Sequence, residues 1–551
     1  VRNMRLIELF SSYMKKGFVA ALASAAFLFC SQVHAEICPA LSVDPAVDAV
    51  MYRLATRYAL PLPASFFTQP MTVCDVLSFL SKADSLSVRL SDAEKADIRE
   101  LRKRISPDNA LLHWKNKKHD AQVGVRLVLA DTNAGSFGAK DAGYVRGTAS
   151  PSLQAGLGPV SFYSGMDVWT DYRSDTMYHQ SDYQPYNGLP YNLYSRADSS
   201  HARSSDLLRG GIVYIGSPFR LDVAVDKIKQ GPALASPLTF SGDAPPETYL
   251  RGQLSFGFME YIQAFGQLKS DKDMPKYFYT HRIQVPLFKN RFTAALTEVV
   301  INGSTTNEPH TAPDSANALR SEYYGVTRTW EIAYMIPFVP YAFMEHYLGD
   351  RDNKALSFDF NLSWPDDFRW YCEIFIDDFT TPWTILSDDW GNKWAFDVGA
   401  QYFTSLLSHD LTATAEYCRV EPWVYTHFFG GAARYDNFNV CLGAPLGPNS
   451  DLLFLSCESR VSLKNSAGLT FTNMRTNSSV RGGNIRDVFQ DPPKPDADSP
   501  IKHFLGAGTQ TISRIGAFWK FDQLGVFRAA VKYDYDFSGK SLIQVYGGLY
   551  F

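Results

Sequence analysis

The chain ends in Leu542-Ile543-Gln544-Val545-Tyr546-Gly547-Gly548-Leu549-Tyr550-Phe551. Side chains of an extended strand point alternately to opposite faces, so Ile543, Val545, Leu549 and Phe551 share one face. The same period recurs upstream. Leu356, Phe358, Phe360, Leu362 and Trp364 alternate with Ser357, Asp359, Asn361 and Ser363, and Phe527, Val531 and Tyr533 alternate with Arg528, Lys532 and Asp534. A single such strand also fits a soluble sandwich. The connections separate the two architectures. Short turns near 157–158, 216–218, 257–259, 288–291, 365–367, 404–410, 464–467 and 521–525 alternate with longer segments at 132–142, 174–206, 229–247, 303–354, 378–392, 421–450 and 481–505. Short turns at one end and long loops at the other are the pattern of a transmembrane barrel, and counting this way gives about eighteen strands. The loops at 269–275 and 538–540 are short exceptions, and Pro151 is expected to interrupt its strand.

The last strand then has a second meaning. A terminal Phe on an alternating strand is the kind of signal outer-membrane barrels present to their assembly machinery. A strand left at an open edge would expose unpaired backbone to lipid, so the wall must close. The fold expected is all-β and transmembrane: an outer-membrane β-barrel of about eighteen antiparallel strands over 111–551, with a small α-helical bundle over 36–110.

The N-terminus agrees with export. Lys15 and Lys16 after Met14, the apolar run Phe18 to Phe29 and Val33-His34-Ala35 read as a signal peptide over 1–35, with translation starting at Met14. Cys30 is a poor lipoprotein site because Phe29 stands where a small residue is required. The apolar run is too short to span a bilayer as a helix, and no later stretch qualifies. The net charge of −4 lacks the basic footprint of a nucleic-acid binder. Aromatic residues make up 14%, which suits both interfacial girdles and sugar-stacking surfaces.

Between leader and barrel, Val50, Met51, Leu54, Ala55 and Tyr58 fall on one helical face. A second helix is expected over Thr72–Ala83, and a third opens on the Ser91/Glu94 capping box and stops near Ser106-Pro107. This bundle either plugs the barrel or faces the periplasm. Of the seven cysteines, six remain after the leader, and none has a metal-ligand spacing. Cys38 and Cys74 are the favoured disulfide, being in one small segment of an oxidising compartment. For Cys372, Cys418, Cys441 and Cys457, bridges and buried free thiols both stay open.

No GxSxG, Walker A or HExxH run is present, and no cofactor is expected. A rim hydrolase would have to use His427 with Asp377 and Asp378, which read more simply as a loop hydrogen-bonder and solvated acids. The loop aromatics are more informative. Tyr178, Tyr183, Tyr186, Tyr191 and Tyr194 are mixed with His179, Gln180, Asp182, Asn187 and Asn192, and Trp383, Trp390 and Trp394 flank Asp388, Asp389, Asn392 and Lys393. Sugar rings stack their apolar faces on aromatics and need amide or charged partners for their hydroxyls.

Three runs carry a family resemblance. Glu416-Tyr417-Cys418-Arg419-Val420-Glu421-Pro422-Trp423-Val424-Tyr425-Thr426-His427 is followed by Leu442-Gly443-Ala444-Pro445-Leu446-Gly447-Pro448-Asn449-Ser450-Asp451. Gly349-Asp350-Arg351-Asp352-Asn353 leads a strand to Trp364, then Glu373, Asp377-Asp378 and Trp390-Gly391-Asn392-Lys393-Trp394. Gly231-Pro232 precedes Leu238, Ser241 and Ala244-Pro245-Pro246. Together, over roughly 45–551, they resemble the Wzi family of capsule-assembly outer-membrane proteins, departing at Gln230 and Asp243, where the family has Trp and Asn. The resemblance implies an eighteen-stranded barrel with an N-terminal helical bundle and a lectin-like hold on capsular polysaccharide. It singles out the Tyr425/His427 strand end, which joins Asp377, Asp378, Arg419, Tyr183, Tyr186, Trp383 and Trp390 as candidate polysaccharide contacts.

The partners expected are capsular or extracellular polysaccharide, outer-membrane lipid and lipopolysaccharide, and the barrel-assembly machinery, with the loops at the cell surface. The competing reading is a porin or oligosaccharide channel, which needs an open lumen. Trp330 to Tyr347, inside the 303–354 loop, is too apolar for a free surface loop, and an inward plug would account for it.

Overall fold

The computed structural model describes residues 38–551, except 42–43, 87–88, 107–109, 117–120, 138–141, 176–177, 180–188, 191–198, 271–273, 306–325, 350, 382, 407–408, 428–429, 463, 489–500 and 524–525. The wall is a closed antiparallel barrel of eighteen strands. They are β1 Ala121–Phe137, β2 Ala142–Leu157, β3 Val160–Arg173, β4 Ala202–Gly216, β5 Phe219–Asp226, β6 Glu247–Ser255, β7 Glu260–Lys269, β8 Pro275–Leu287 and β9 Phe292–Gly303. Then come β10 Asn353–Leu362, β11 Phe368–Asp378, β12 Lys393–Leu406, β13 His409–Val420, β14 Ser450–Ser462, β15 Asn465–Thr476, β16 Gln510–Gln523, β17 Phe527–Asp536 and β18 Lys540–Tyr550. β18 closes on β1, from Ser541 opposite Phe137 to Tyr550 opposite Val128. Phe551 completes the seam: its N–H donates to the Leu127 carbonyl (2.9 Å), and its carbonyl accepts from the Leu127 N–H (3.1 Å). Below it, Leu112–Asn116 pairs with the overhang of β1, so that edge is covered too.

Polarity is inverted relative to a soluble protein. Ile543, Val545, Leu549 and Phe358 are exposed on the outer face, whereas Ser357, Asp359, Arg369 and Glu373 are buried in the lumen. Two expectations about the strands are corrected. Residues 132–137 belong to β1 rather than to a loop, because alternation continues up to Phe137. Pro151 does not interrupt β2: it pairs opposite Leu127, and its missing N–H coincides with a gap in the β2–β3 register between Ala149 and Ser152.

Three helices fill the short-turn mouth: α1 Pro45–Tyr58, α2 Val73–Asp84 and α3 Asp92–Ile105. The Asp44 side chain caps α1, and Thr72/Asp75 and Ser91/Glu94 form reciprocal capping boxes on α2 and α3. Met51, Leu54, Phe67, Val76, Leu80, Ile98 and Leu101 make their common core. A disulfide joins Cys38 to Cys74, with Cα atoms 5.0 Å apart. The wall holds this bundle on several sides. Arg57 Nε donates to Asp367 (3.0 Å), Arg53 to Thr412 Oγ1 (2.6 Å) and the Cys38 N–H to Ser161 Oγ (2.8 Å), while Arg460 pairs with Asp97.

The apolar stretch Trp330 to Tyr347 is not an inward plug. In β8, Phe278 and Arg282 face the lumen, against Phe240 and Asp359, so Tyr277, Tyr279 and His281 face outward. Those outward rings carry the stretch: Trp330 lies 4.5 Å from Tyr277, Tyr334 5.2 Å from Tyr279, and Tyr341 stacks on His281 at 4.1 Å between ring centres. Residues 330–348, including α4 Tyr341–Leu348, therefore lie on the outer face of β7–β10.

Candidate functional site

The lumen beside β5–β13 is packed solid by the long connection 227–246. Two wall carboxylates grip its backbone. Glu416 accepts from the amides of Leu234, Ala235 and Ser236 (3.0, 2.8 and 3.0 Å) and from Tyr371 Oη (2.6 Å). Glu373 accepts from the amides of Leu238 and Thr239 and from Thr239 Oγ1 (3.1, 2.9 and 2.7 Å). Gly231, at φ 101°, passes so close that a Cβ there would sit 2.7 Å from Glu373 Oε2. The Arg369 guanidinium lies between the rings of Tyr52 and Tyr371 (3.4 and 4.1 Å) and donates to Asn361, Gln401 and the Pro232 carbonyl (2.6, 2.8 and 2.5 Å). Ions withdrawn from water need such dense pairing.

This packing redistributes the residues singled out from the sequence. Tyr183 and Tyr186 lie outside the described residues. Asp377 and Tyr425 do come together, but buried: the Tyr425 N–H donates to Asp377 Oδ2 (2.7 Å), and Tyr425 Oη donates to the Leu238 carbonyl (2.8 Å). The expectation of a sugar-facing Asp377 and Tyr425 is thereby corrected, since neither can reach a ligand without unpacking the loop. Trp423 and Tyr425 both adopt positive φ (72° and 68°), so the Asp377 contact holds a strained turn in place. It also leaves Asp377 poorly placed to serve as a rim acid.

Asp378 stays part-exposed at 3.6 Å from Lys393, whose ammonium lies 5.6 Å from the Trp390 ring. Trp383 is 94% exposed. Arg419 faces outward, ion-paired with Glu421 (2.6 Å) and stacked 3.8 Å from the Phe504 ring. Lys502 joins the same cluster, 3.1 Å from Glu421, and burial pulls its pKa below the usual lysine range. His427, half-buried, follows the Tyr425 turn. Trp383, Trp390, Asp378 and Arg419 thus sit along the long-loop rim of β11–β13, not in one pocket.

The opposite side of the lumen, along β14–β18 and β1–β4, was missed from sequence. Near the long-loop end, Arg146 and Arg203 both face Asp171 (3.4 and 3.3 Å), and Arg146 lies 5.1 Å from the Trp169 ring. Trp169 Nε1 and Ser205 Oγ are buried there without a hydrogen-bond partner among the described residues. Arg173, Arg514 and Lys532 keep 43%, 50% and 44% of their side chains exposed. At the short-turn end of this side, a cavity of about 450 Å³ separates the helices from the wall, between residues such as Arg53, Glu100, Arg460, Lys520 and Arg528. Lumen-facing charges occur on strands of both sides, so nothing local distinguishes these from the buried set; only which side the loops fill does.

No family model and no curated protein matches the chain. Among solved structures it is similar to Wzi, an outer-membrane protein involved in group 1 capsule assembly in Escherichia coli and a carbohydrate-binding β-barrel. That likeness has a TM-score of 0.55 at 12% identity and covers 93% of this chain and 99% of that one. Pseudomonas aeruginosa OccK8 (OprE) and OprD follow with TM-scores of 0.41 and 0.39 at 8% and 10% identity, each over 78% of this chain and over 98% and 95% of their own. At 12% identity the likeness to Wzi shows the fold alone, that of an outer-membrane β-barrel.

Proposed function

We propose that this protein is a non-catalytic outer-membrane lectin that holds capsular or extracellular polysaccharide at the cell surface, with its long loops outward. The observation that carries the reading is the cationic lumen face where Arg146, Arg203 and the 43%-exposed Arg173 gather around the buried Asp171, across the lumen from a rim bearing Trp383 and Trp390. Guanidinium groups suit the carboxylates of an acidic polymer, and indole faces suit its sugar rings. The likeness to a carbohydrate-binding capsule protein is in keeping with this reading. Single sugar contacts are weak, so retention rests on many repeats meeting many copies on one cell. The test compares cell-bound with shed polysaccharide for Arg146→Ala/Arg173→Ala and for Trp383→Ala/Trp390→Ala, using heat-modifiable migration as the folding control. Shedding by assembled variants is expected. Full retention by both would remove these residues from the site, and shortened polymer around wild-type cells would point to a hydrolase instead.

One observation favours a second reading, an oligosaccharide channel. The cavity beside the helices lies on the same side as the half-exposed lumen. Planar-bilayer conductance of the intact protein separates the two: a closed barrel fits the lectin, and steady anion-selective current fits the channel.

A further inference from the structure

The stretch 330–348 raises a physical problem. Irregular backbone is not tolerated against hydrocarbon unless its polar groups are satisfied by protein. Here the wall supplies partners. The amides of Glu331, Phe338 and Tyr341 donate to Tyr279 Oη, Tyr261 Oη and Glu298 Oε2 (2.7, 3.0 and 2.9 Å), and Gln263 Nε2 donates to the Tyr334 carbonyl (3.2 Å). The amides of Tyr334, Ile336 and Met344 bond within the stretch, to the carbonyls of Glu331, Ala333 and Pro340. Pro337 and Pro340 have no N–H to satisfy.

The need runs both ways. Gln263, His281 and Glu298 are polar residues on the outward face of β7–β9, where apolar ones are expected. His281 Nε2 and Glu298 Oε2 are 2.5 Å apart beneath Tyr341. Uncovered, this stripe would face lipid. The surface that the stretch turns away from the wall is apolar: Ile332, Phe343 and Tyr347 are 68%, 76% and 84% exposed, with Ile336 and Phe338 beside them. It continues the exposed face of the neighbouring wall at Leu296 and Phe358. Of the charges at its ends, Arg328 pairs with Asp352 and Glu345 with Lys354, Glu331 is half-buried beside Trp330, and the exposed His346 lies in the last turn of α4, toward the long-loop end.

We propose that residues 330–348 form a strap embedded in the outer membrane, with lipid acyl chains packed on its exposed face. The barrel then has a thickened, lipid-anchored flank at β7–β10 whose polar wall stripe serves to satisfy the strap's backbone. The test places the photo-crosslinker p-benzoylphenylalanine at position 343 in cells making the full chain, with position 383 as the water-exposed reference. Irradiation at 343 is expected to yield an adduct carrying a fatty acyl chain, identified by mass spectrometry, and 383 is expected to yield none. An adduct at 343 with a second copy or another protein, or behaviour matching that of 383, overturns the proposal. As a second measurement, Phe343→Arg should lower the assembled fraction about tenfold or more, whereas Phe343→Leu should match wild type. Equal assembly of the arginine variant would likewise overturn it.

Discussion

The two sides of the lumen are made from the same alphabet and have opposite fates. Beside β5–β13, Arg251, Arg282, Arg369, Lys276 and Glu373 are buried and multiply bonded. Along β14–β18 and β1–β4, Arg146, Arg173, Arg514 and Lys532 face the same lumen but remain part-exposed. The strands alternate alike on both sides. The difference is what packs inward on one side: the connection 227–246 bonds Arg369 and Glu373, the 68–70 segment beside the helices bonds Arg251, and the 421–450 connection bonds Lys276 through Asp436. A charge in a barrel wall thus becomes structural or available according to which loop reaches it.

The contrast can be broken most directly at Arg369. Arg369→Ala leaves Asn361, Gln401 and the Pro232 carbonyl without their donor and opens the stack on Tyr52. Each buried acceptor left unsatisfied in this way costs about 1–3 kcal/mol, so several kcal/mol are at stake. The expected result is a large loss of heat-modifiable barrel and greater protease access to 45–105; wild-type behaviour would show that the packing there is incidental. The next test sets two faces of one strand against each other. Val531→Arg places a charge on the lipid face of β17 and should cost about 2–4 kcal/mol if near the midplane. Lys532→Ala, on the lumen face, should unfold in urea close to wild type, and equal behaviour of the two would mean the register of β17 is wrong.

A third test uses pH. Asp97, on α3 at the edge of the cavity, is pushed up to about 6 by burial, against the pull of Arg460. Its folded pKa lies above the unfolded value of 3.8, so its contribution is fully present below about 3.8 and is lost as pH rises through about 6. The limit of that loss is about 3 kcal/mol. Protection factors of the α3 amides, corrected for the intrinsic rise of exchange with pH, should fall between about pH 4 and 7, and Asp97→Asn should flatten that fall. An unchanged slope in that variant would assign the effect to another group. The smallest effect is expected at Arg514→Ala, on the open side, where the half-exposed pair with Asp536 contributes less than about 1 kcal/mol. A loss comparable to that of Arg369→Ala would erase the distinction between the two sides.

Alternation, caps and connection lengths are local, and they were legible. The capping box at Ser91, the helix opening at Thr72, the run of short turns and the closing strand to Phe551 all follow from neighbouring residues. The candidate site was legible only in part. Trp383 is exposed, as a sugar-stacking residue must be, but Tyr425 sits in the same kind of polar, aromatic loop and is buried on Asp377. Composition cannot tell a tyrosine that faces solvent from one that props up a turn, because that depends on what the loop folds against.

The stretch 330–348 shows the same limit from the other direction. Its apolar character required a cover, and that much could be read from the residues alone. Which surface covers it could not. Tyr261, Gln263, Tyr279 and Glu298 lie on three strands, and only closing the barrel lines them up outward as bond partners for the strap. Sequence by itself determined the period of each strand, the ends of the helices and the need for a closed wall, since each follows from backbone geometry and from hydrogen bonds between near neighbours. The tertiary structure alone decided which side of the lumen is filled, which charges are desolvated and which face of the wall carries the strap. Those depend on residues far apart in the chain competing for the same buried polar partners.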